Sequence, residues 1–128
     1  DEINHKRHAI YDSYHENLEE LEKKGYLTRP TVPDYARHNA HMYYIKVQDE
    51  SVRSALIQYL KERGIMCVFH YVPLHSSPAG KKFGRFCGKD VYTTKESERL
   101  VRLPMFYNLS LDEAWEVAAA IEKFFKQR

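Results

Sequence analysis

The stretch "HMYYIKVQDESVRSALIQYLKERGIMCVFH" (residues 41–70) decides the fold, because three patterns follow one another within it. Residues 41–47 are rich in aromatic and β-branched side chains and predict a strand. Residues 51–64 carry apolar residues at helical spacing and predict a helix, with Asp49 or Ser51 as the N-cap and Gly64 as the stop. Residues 65–70 predict a second strand, of the buried kind. Strand, helix and strand therefore form one compact unit.

Helical patterns lie on both sides of this unit. Residues 1–24 predict one amphipathic helix that stops at Gly25, and Ser110 with Glu113 forms a capping box that opens a last helix. Residues 93–101 predict a short helix, and residues 102–104 predict a brief strand. The side chains expected to be buried on the two long helices are Ile3, Ile10, Tyr14, Leu18, Leu21, Leu111, Ala114, Trp115, Ala118, Ile121 and Phe125. The fold class is α+β: a small antiparallel or mixed sheet of about three strands packed against helices.

Composition bounds the kind of protein. The 128 residues, 43% of them hydrophobic, suffice for one core and one domain, residues 1–128. Lys and Arg number 20 against 18 Asp and Glu and are spread along the chain, which argues against nucleic acid as a partner. No apolar run approaches the roughly 20 residues that span a bilayer, and two cysteines are too few for a disulfide scaffold. We expect a cytoplasmic protein with no membrane partner.

The segment "FHYVPLHSSPAG" (residues 69–80) opens a long loop, residues 71–90, with a helical turn expected near residues 79–83. Loops of this length are more often functional than incidental, and this one has too many aromatic residues for disorder. His70 ends a strand and His75 follows the stiffening Pro73, so both imidazoles are held in place and accessible. A binding role for these two histidines and an ordinary surface position are equally compatible with the sequence.

Other chemistries receive less support. Four residues are of the types that bind zinc. The first two of them, Cys67 and His70, point to opposite faces of an extended strand, and the short ligand spacings of zinc sites are missing. No thiol has an evident activating base, and no nucleophile elbow or phosphate-binding glycine loop occurs. Three basic side chains of the loop could hold a nucleotide, with a solvated loop face as the alternative. The zinc-ligand types are Cys67, His70, His75 and Cys87, and the basic side chains are Lys81, Lys82 and Arg85.

Three blocks carry a resemblance to a known family. They are "NAHMYYIKV" (39–47), "IMCVFHYVPLHSSPAGKKFG" (65–84) and "YTTKESERLVRLPMFYNLS" (92–110). In order and spacing they resemble the C-terminal domain of the DegT/DnrJ/EryC1/StrS sugar aminotransferases. The resemblance covers practically the whole chain. It implies the small domain of a fold-type I aminotransferase that depends on pyridoxal 5'-phosphate (PLP). The start at Asp1, without methionine, fits a segment of a longer protein.

The resemblance also implies an activity. The expected reaction is transfer of an amino group, from glutamate, to C4 of a dTDP-4-keto-6-deoxy sugar for cell-surface polysaccharides of the enterobacterial common antigen or lipopolysaccharide type. The Schiff-base lysine and most other PLP contacts belong to the family's large domain. We therefore expect this chain to be inactive alone, with no catalytic residue and no metal, and the longer enzyme to be a homodimer. The rival expectation is a free-standing module that binds a sugar or nucleotide without catalysis.

Six residues are candidates for substrate binding. The family loop that matches "HYVPLH" faces the sugar nucleotide, which carries this role over to His70, Tyr71 and His75. Asn39, His41 and Tyr107 are added as residues that could face the same cleft. For these last three, a structural or surface role is an equal alternative.

Overall fold

The computed structural model describes residues 2–128, and within them it contains six α-helices and one three-stranded antiparallel sheet. This confirms the α+β prediction. The predicted helix start at Asp1 lies outside the described residues. None of the helices within residues 2–128 has the length and apolar character that a bilayer crossing requires. The elements are α1 (Glu2–Asn17), α2 (Glu19–Lys23), β1 (Tyr44–Lys46), α3 (Glu50–Lys61), β2 (Val68–Phe69), α4 (Pro78–Phe83), α5 (Thr93–Arg99), β3 (Leu100–Arg102) and α6 (Leu111–Lys126).

The last strand in the chain lies in the middle of the sheet. The strand order is β1–β3–β2, and β3 is antiparallel to both neighbours. Val101 of β3 pairs with Ile45 on one side and with Phe69 on the other. The first two strands are therefore parallel to each other and separated by β3. The chain between β2 and β3 must leave the sheet edge and return, and this excursion contains the long loop.

Local sequence signals set the ends of the helices as predicted. The side chain of Asp49 caps α3 by accepting a hydrogen bond from the backbone N–H of Val52 at 2.9 Å. Gly25 and Gly64 both have φ of +76°, a conformation that suits glycine. After each helix, the glycine N–H and the next N–H bond back to carbonyls of the last turn, which is the Schellman pattern.

One apolar core joins α1, α3, α6 and the inner face of the sheet. The hydroxyl of the fully buried Tyr14 donates to the carbonyl oxygen of Pro104 at 2.9 Å, so this phenol leaves no unpaired polar atom in the core. The largest side chains with almost no exposure are Tyr14, Leu18, Tyr43, Ile45, Val47, Leu56, Leu60, Val101 and Ile121.

Some predicted boundaries and burials are wrong. The single first helix is divided at Leu18 into α1 and α2, β1 is shorter than residues 41–47, and β3 begins two residues before residue 102. The strand predicted as buried, β2, is an edge strand whose side chains, Val68 and Phe69, are 44% and 45% exposed.

Three side chains expected in the core, Ile3, Leu111 and Trp115, are about half exposed. On α6, four predicted side chains are buried, and Val117 and Phe124 complete the buried stripe in place of Leu111 and Trp115; the four are Ala114, Ala118, Ile121 and Phe125.

Candidate functional site

The long loop between β2 and α5 folds into two short turns that pack on each other. Residues Leu74–Ser76 form a 3₁₀ turn, and Ser77 caps α4 by accepting from the backbone N–H of Gly80 at 2.9 Å. The Ser77 hydroxyl also donates to the carbonyl oxygen of Leu74 at 2.8 Å. A Cβ on Gly80 would lie 1.6 Å from that same oxygen. Only glycine lets the two turns approach this closely.

These two turns line a cleft of about 450 Å³. The wall is largely apolar, from Leu74, Ala79 and Phe83, and His75 and Arg85 supply its polar side chains. An apolar cleft with few polar groups is typical of sites for small ligands. The helical turn predicted near residues 79–83 is confirmed as α4.

His75 is held in place by contacts with residues at and just before the start of α5. Its Nε2 lies 2.9 Å from Oδ2 of Asp90 and 3.2 Å from Oγ1 of Thr94, and its ring centroid lies 4.6 Å from that of Phe86. The hydroxyl and the backbone N–H of Thr94 both donate to the Asp90 carboxylate. The Thr94 hydroxyl, followed by its backbone N–H and His75, lowers the pKa of Asp90 below its ordinary value. The carboxylate is therefore ionised at neutral pH and fixes the orientation of the imidazole.

His70 and Tyr71 lie together where β2 ends. Their rings meet edge to face with centroids 4.4 Å apart, and Tyr71 is 69% exposed. Nδ1 of His70 is inaccessible to solvent and has no hydrogen-bond partner among residues 2–128. Buried polar atoms are normally paired, so this nitrogen is a candidate contact for a ligand or for a further protein segment.

Asn39 and His41 form a separate pair before β1. The Asn39 side-chain oxygen lies 2.7 Å from Nδ1 of His41 and accepts from its backbone N–H at 3.2 Å. Ala40 between them has φ of +48°, unusual for a residue other than glycine. Both line a second cleft, of about 480 Å³, with Tyr11 and other residues. They share no hydrogen bond or ring contact with the His75 network among the described residues.

Tyr107 lies against α1 rather than against the loop. Its hydroxyl donates to Oε1 of Glu2 at 2.8 Å, and Nζ of Lys6 lies 4.1 Å from its ring centroid. The six predicted residues thus occupy four places, and His70 with Tyr71 is the one pair besides Asn39 with His41 in direct contact among residues 2–128.

Cys67 and Cys87 take no evident part in this chemistry. Burial raises the pKa of the Cys67 thiol to about 12, which opposes the thiolate form that metals and electrophiles require. Cys87 is exposed. Within residues 2–128 no three His, Cys, Asp or Glu side chains are grouped as metal ligands would be.

Sequence reasoning missed Asp90 and Thr94. Asp90 lies four residues before Thr94, at the start of a predicted helix, and this spacing is the signal that could have identified a capping carboxylate. The contact between the Asp90 carboxylate and His75 depends on how the loop folds back, and local sequence patterns do not predict the path of the loop.

Solved aminotransferases share this arrangement of helices around a small antiparallel sheet: TlmJ from Streptoalloteichus hindustanus superposes with a TM-score of 0.83 at 23% identity, over 96% of this chain and 32% of that one. The chain belongs to the DegT/DnrJ/EryC1/StrS aminotransferase family, which it matches over residues 1–122.

Two further similar proteins are longer than this chain. An uncharacterized protein of Methanocaldococcus jannaschii is 29% identical over 126 residues, 95% of this chain and 32% of that protein. NtdA from Bacillus subtilis, solved with bound cofactor PMP, has a TM-score of 0.81 at 26% identity, over 97% of this chain and 28% of that one. The chain thus spans about a third of the length of the relatives it matches.

The family implies PLP, and the described residues do not fit a PLP site of their own. A lysine that forms an imine with PLP has to be enclosed and neutral at the moment of reaction. Every described lysine is exposed except Lys46, which is partly buried and paired with Glu96 at 2.9 Å. No step of a reaction is therefore assigned to PLP on this chain.

Proposed function

We propose that this chain is the C-terminal small domain of a longer PLP-dependent sugar aminotransferase, a single domain whose loop forms one wall of the substrate cleft. Family membership over residues 1–122, together with a loop that places His75 on the wall of an open cleft, supports this proposal. PLP, bound by another domain, supplies the amino-transfer chemistry. The residues of this chain bind and orient the sugar nucleotide.

The finer proposal concerns the reaction. The three sequence blocks look closest to dTDP-4-amino-4,6-dideoxygalactose transaminase. We propose amino transfer from glutamate to C4 of a dTDP-4-keto-6-deoxy sugar, for surface polysaccharides of the enterobacterial common antigen or lipopolysaccharide type. We further propose a homodimeric enzyme in the cytoplasm. Cys67 and Cys87 are unpaired among the described residues, which suits a reducing compartment.

The structure of the loop supports a binding role in physical terms. Pro73, the 3₁₀ turn and the Ser77 cap hold His75 in one conformation, so less conformational entropy is lost when a ligand docks. The exposed Tyr71 side chain carries a hydroxyl that can form hydrogen bonds with a polyhydroxylated ligand. Asn39, His41 and Tyr107 remain candidates, although within this chain they lie away from the cleft that His75 lines.

The deciding experiment is an amination assay of the longer protein with glutamate and a panel of dTDP- and UDP-linked 4-keto sugars. We expect turnover with a dTDP substrate, and we expect His75→Ala to raise KM more than it lowers kcat. His5→Ala, at an exposed position on α1, is the matched control and should change neither constant. Identical kinetics for the two variants would remove His75 from the site.

A second measurement separates this proposal from a free-standing binding module. The 128-residue chain is mixed with PLP and followed by absorbance, with and without borohydride. We expect no stoichiometric imine with a lysine of this chain. An imine trapped on one mapped lysine would contradict the assignment of PLP to another domain, and sugar-nucleotide binding without any turnover by the longer protein would favour the module.

A further inference from the structure

The hydrogen atoms around His75 can be counted. The Asp90 carboxylate is ionised and accepts hydrogen bonds only. The Thr94 hydroxyl has one hydrogen, which it donates to Oδ2 of Asp90, so its oxygen acts as an acceptor toward its other neighbour. Nε2 of His75 lies 2.9 Å from Oδ2 and 3.2 Å from the Thr94 hydroxyl oxygen. Both neighbours of Nε2 are acceptors, so Nε2 carries the hydrogen.

The other ring nitrogen then has a fixed role. A neutral imidazole has one N–H and one lone pair, so Nδ1 of His75 bears the lone pair. No described residue within 2–128 forms a hydrogen bond with Nδ1. His75 lines the 450 Å³ cleft beside Arg85. The imidazole therefore presents an acceptor, and Arg85 presents donors.

We propose that His75 recognises a ligand O–H or N–H donor through Nδ1, with Asp90 and Thr94 as positioning residues that hold the imidazole in this form. The inference rests on the proposed function and deepens it. A sugar nucleotide presents hydroxyl donors on its rings and only acceptors on its ionised diphosphate. His75 accordingly contacts a sugar hydroxyl and discriminates against a phosphate at its position, a contact for which Arg85 has the appropriate charge.

Protonation reverses this preference. A second proton on Nδ1 converts the acceptor into a donor, so the contact with a hydroxyl donor is weakened at any pH low enough to protonate the ring. The charged groups around His75 are the carboxylate of Asp90 below it, Arg85 in the cleft, and Lys81 and Lys82 on the adjoining α4. A histidine that bound phosphate as an imidazolium would give the opposite pH dependence.

The first arm of the test uses the 128-residue chain and needs no ligand. Nitrogen-15 NMR of the histidine rings should show a slowly exchanging hydrogen on Nε2 of His75 and a lone-pair nitrogen at Nδ1, at a pH where the exposed His5 shows fast exchange. Thr94→Val should accelerate the exchange of that hydrogen. A hydrogen on Nδ1 of neutral His75 would overturn the assignment, whatever the longer protein does.

The second arm measures KM for the sugar nucleotide between about pH 8 and pH 5, where imidazole titrates. We expect KM of the longer enzyme to rise toward low pH, and we expect this slope to vanish in His75→Asn, which keeps a neutral polar side chain. His75→Ala should raise KM at high pH about five-fold, as for one lost hydrogen bond. An increased KM in His75→Ala with a KM that falls toward low pH in the native enzyme would overturn the acceptor role alone. An unchanged KM in His75→Ala would overturn the proposed site as well.

Discussion

Gly80→Ala tests whether the close packing of the two turns shapes the candidate site. The added Cβ would lie 1.6 Å from the carbonyl oxygen of Leu74 and 2.6 Å from its carbonyl carbon. Real contacts of this kind stay beyond 3.0 Å, so the first turn of α4 has to move from the 3₁₀ turn by roughly 1.4 Å, the difference between the two distances. Displacements of about 1 Å in a binding site can cost on the order of a hundred-fold in rate. We expect a loss of that order in kcat/KM of the longer enzyme.

The same substitution should leave the core intact. Neither α4 nor the 3₁₀ turn contributes a buried residue, so the free energy of global unfolding should change by less than about 1 kcal/mol. Amide exchange at Gly80 and Lys81 should accelerate, while exchange at Ile45 and Val101 in the sheet should not change. Gly84→Ala is the matched control, because its Cβ would meet only the Gly80 carbonyl oxygen, at 3.2 Å, and a small adjustment suffices.

Two results would refute this reasoning. Loop exchange and kinetics of Gly80→Ala that equal those of Gly84→Ala would show that the turns do not pack as closely as described. A fall in thermal stability as large as that of a core truncation would show that the loop unfolds together with the sheet.

Two further predictions concern the fold. Tyr14→Phe should lower the free energy of unfolding by about 1 kcal/mol in urea denaturation, because the carbonyl of Pro104 loses its donor. Tyr11→Phe is the control and should have a smaller effect, because the Tyr11 hydroxyl makes no hydrogen bond among the described residues. Equal losses in the two variants would contradict the role of the Tyr14 hydrogen bond. Ser110→Ala should cost about 1 kcal/mol through loss of the cap of α6. The backbone N–H of Ser110, and then its hydroxyl, lower the pKa of Glu113 below 4.5, so the stabilisation by this carboxylate is present above pH 4.5 and is lost as the pH falls through the depressed value. Thermal melts across this range should therefore show a smaller acid sensitivity in the variant, and parallel curves would contradict it.

Elements with strong local signals were predictable from the sequence. The cap at Ser110 and the stops at Gly25 and Gly64 act within four or five residues of the helix end and were identified correctly, and the cap at Asp49 was one of the two alternatives predicted for α3. The prolines of the loop and the turn at α4 are likewise local features. Whether these caps, stops and turns form depends on residues nearby in the sequence, so the sequence pattern can predict them.

What depends on distant pairing was not predictable. The apolar run that contains β2 reads as buried on both faces, yet β3, arriving some thirty residues later, occupies the inner position and leaves Val68 and Phe69 at the edge. The contact of His75 with Asp90 and Thr94 likewise spans 15 to 19 residues and follows from the course of the loop. A single sequence shows which functional groups are present but not which of them come into contact in the fold.

The candidate site lies in the segment between β2 and β3, so its residues can change in evolution independently of the core. Between Cys67 and Val101, a range that the structure describes throughout, no residue is buried, so substitutions there remove little from the core. Lys46 with Glu96, and Arg53 with the carbonyl of Ser97, still anchor α5 to the rest of the domain. A randomised library confined to residues 70–92 that keeps Gly80 should consist mostly of folded proteins. Ligand preference can thus diversify on this scaffold by point substitution, without compensating changes in the helices that support it.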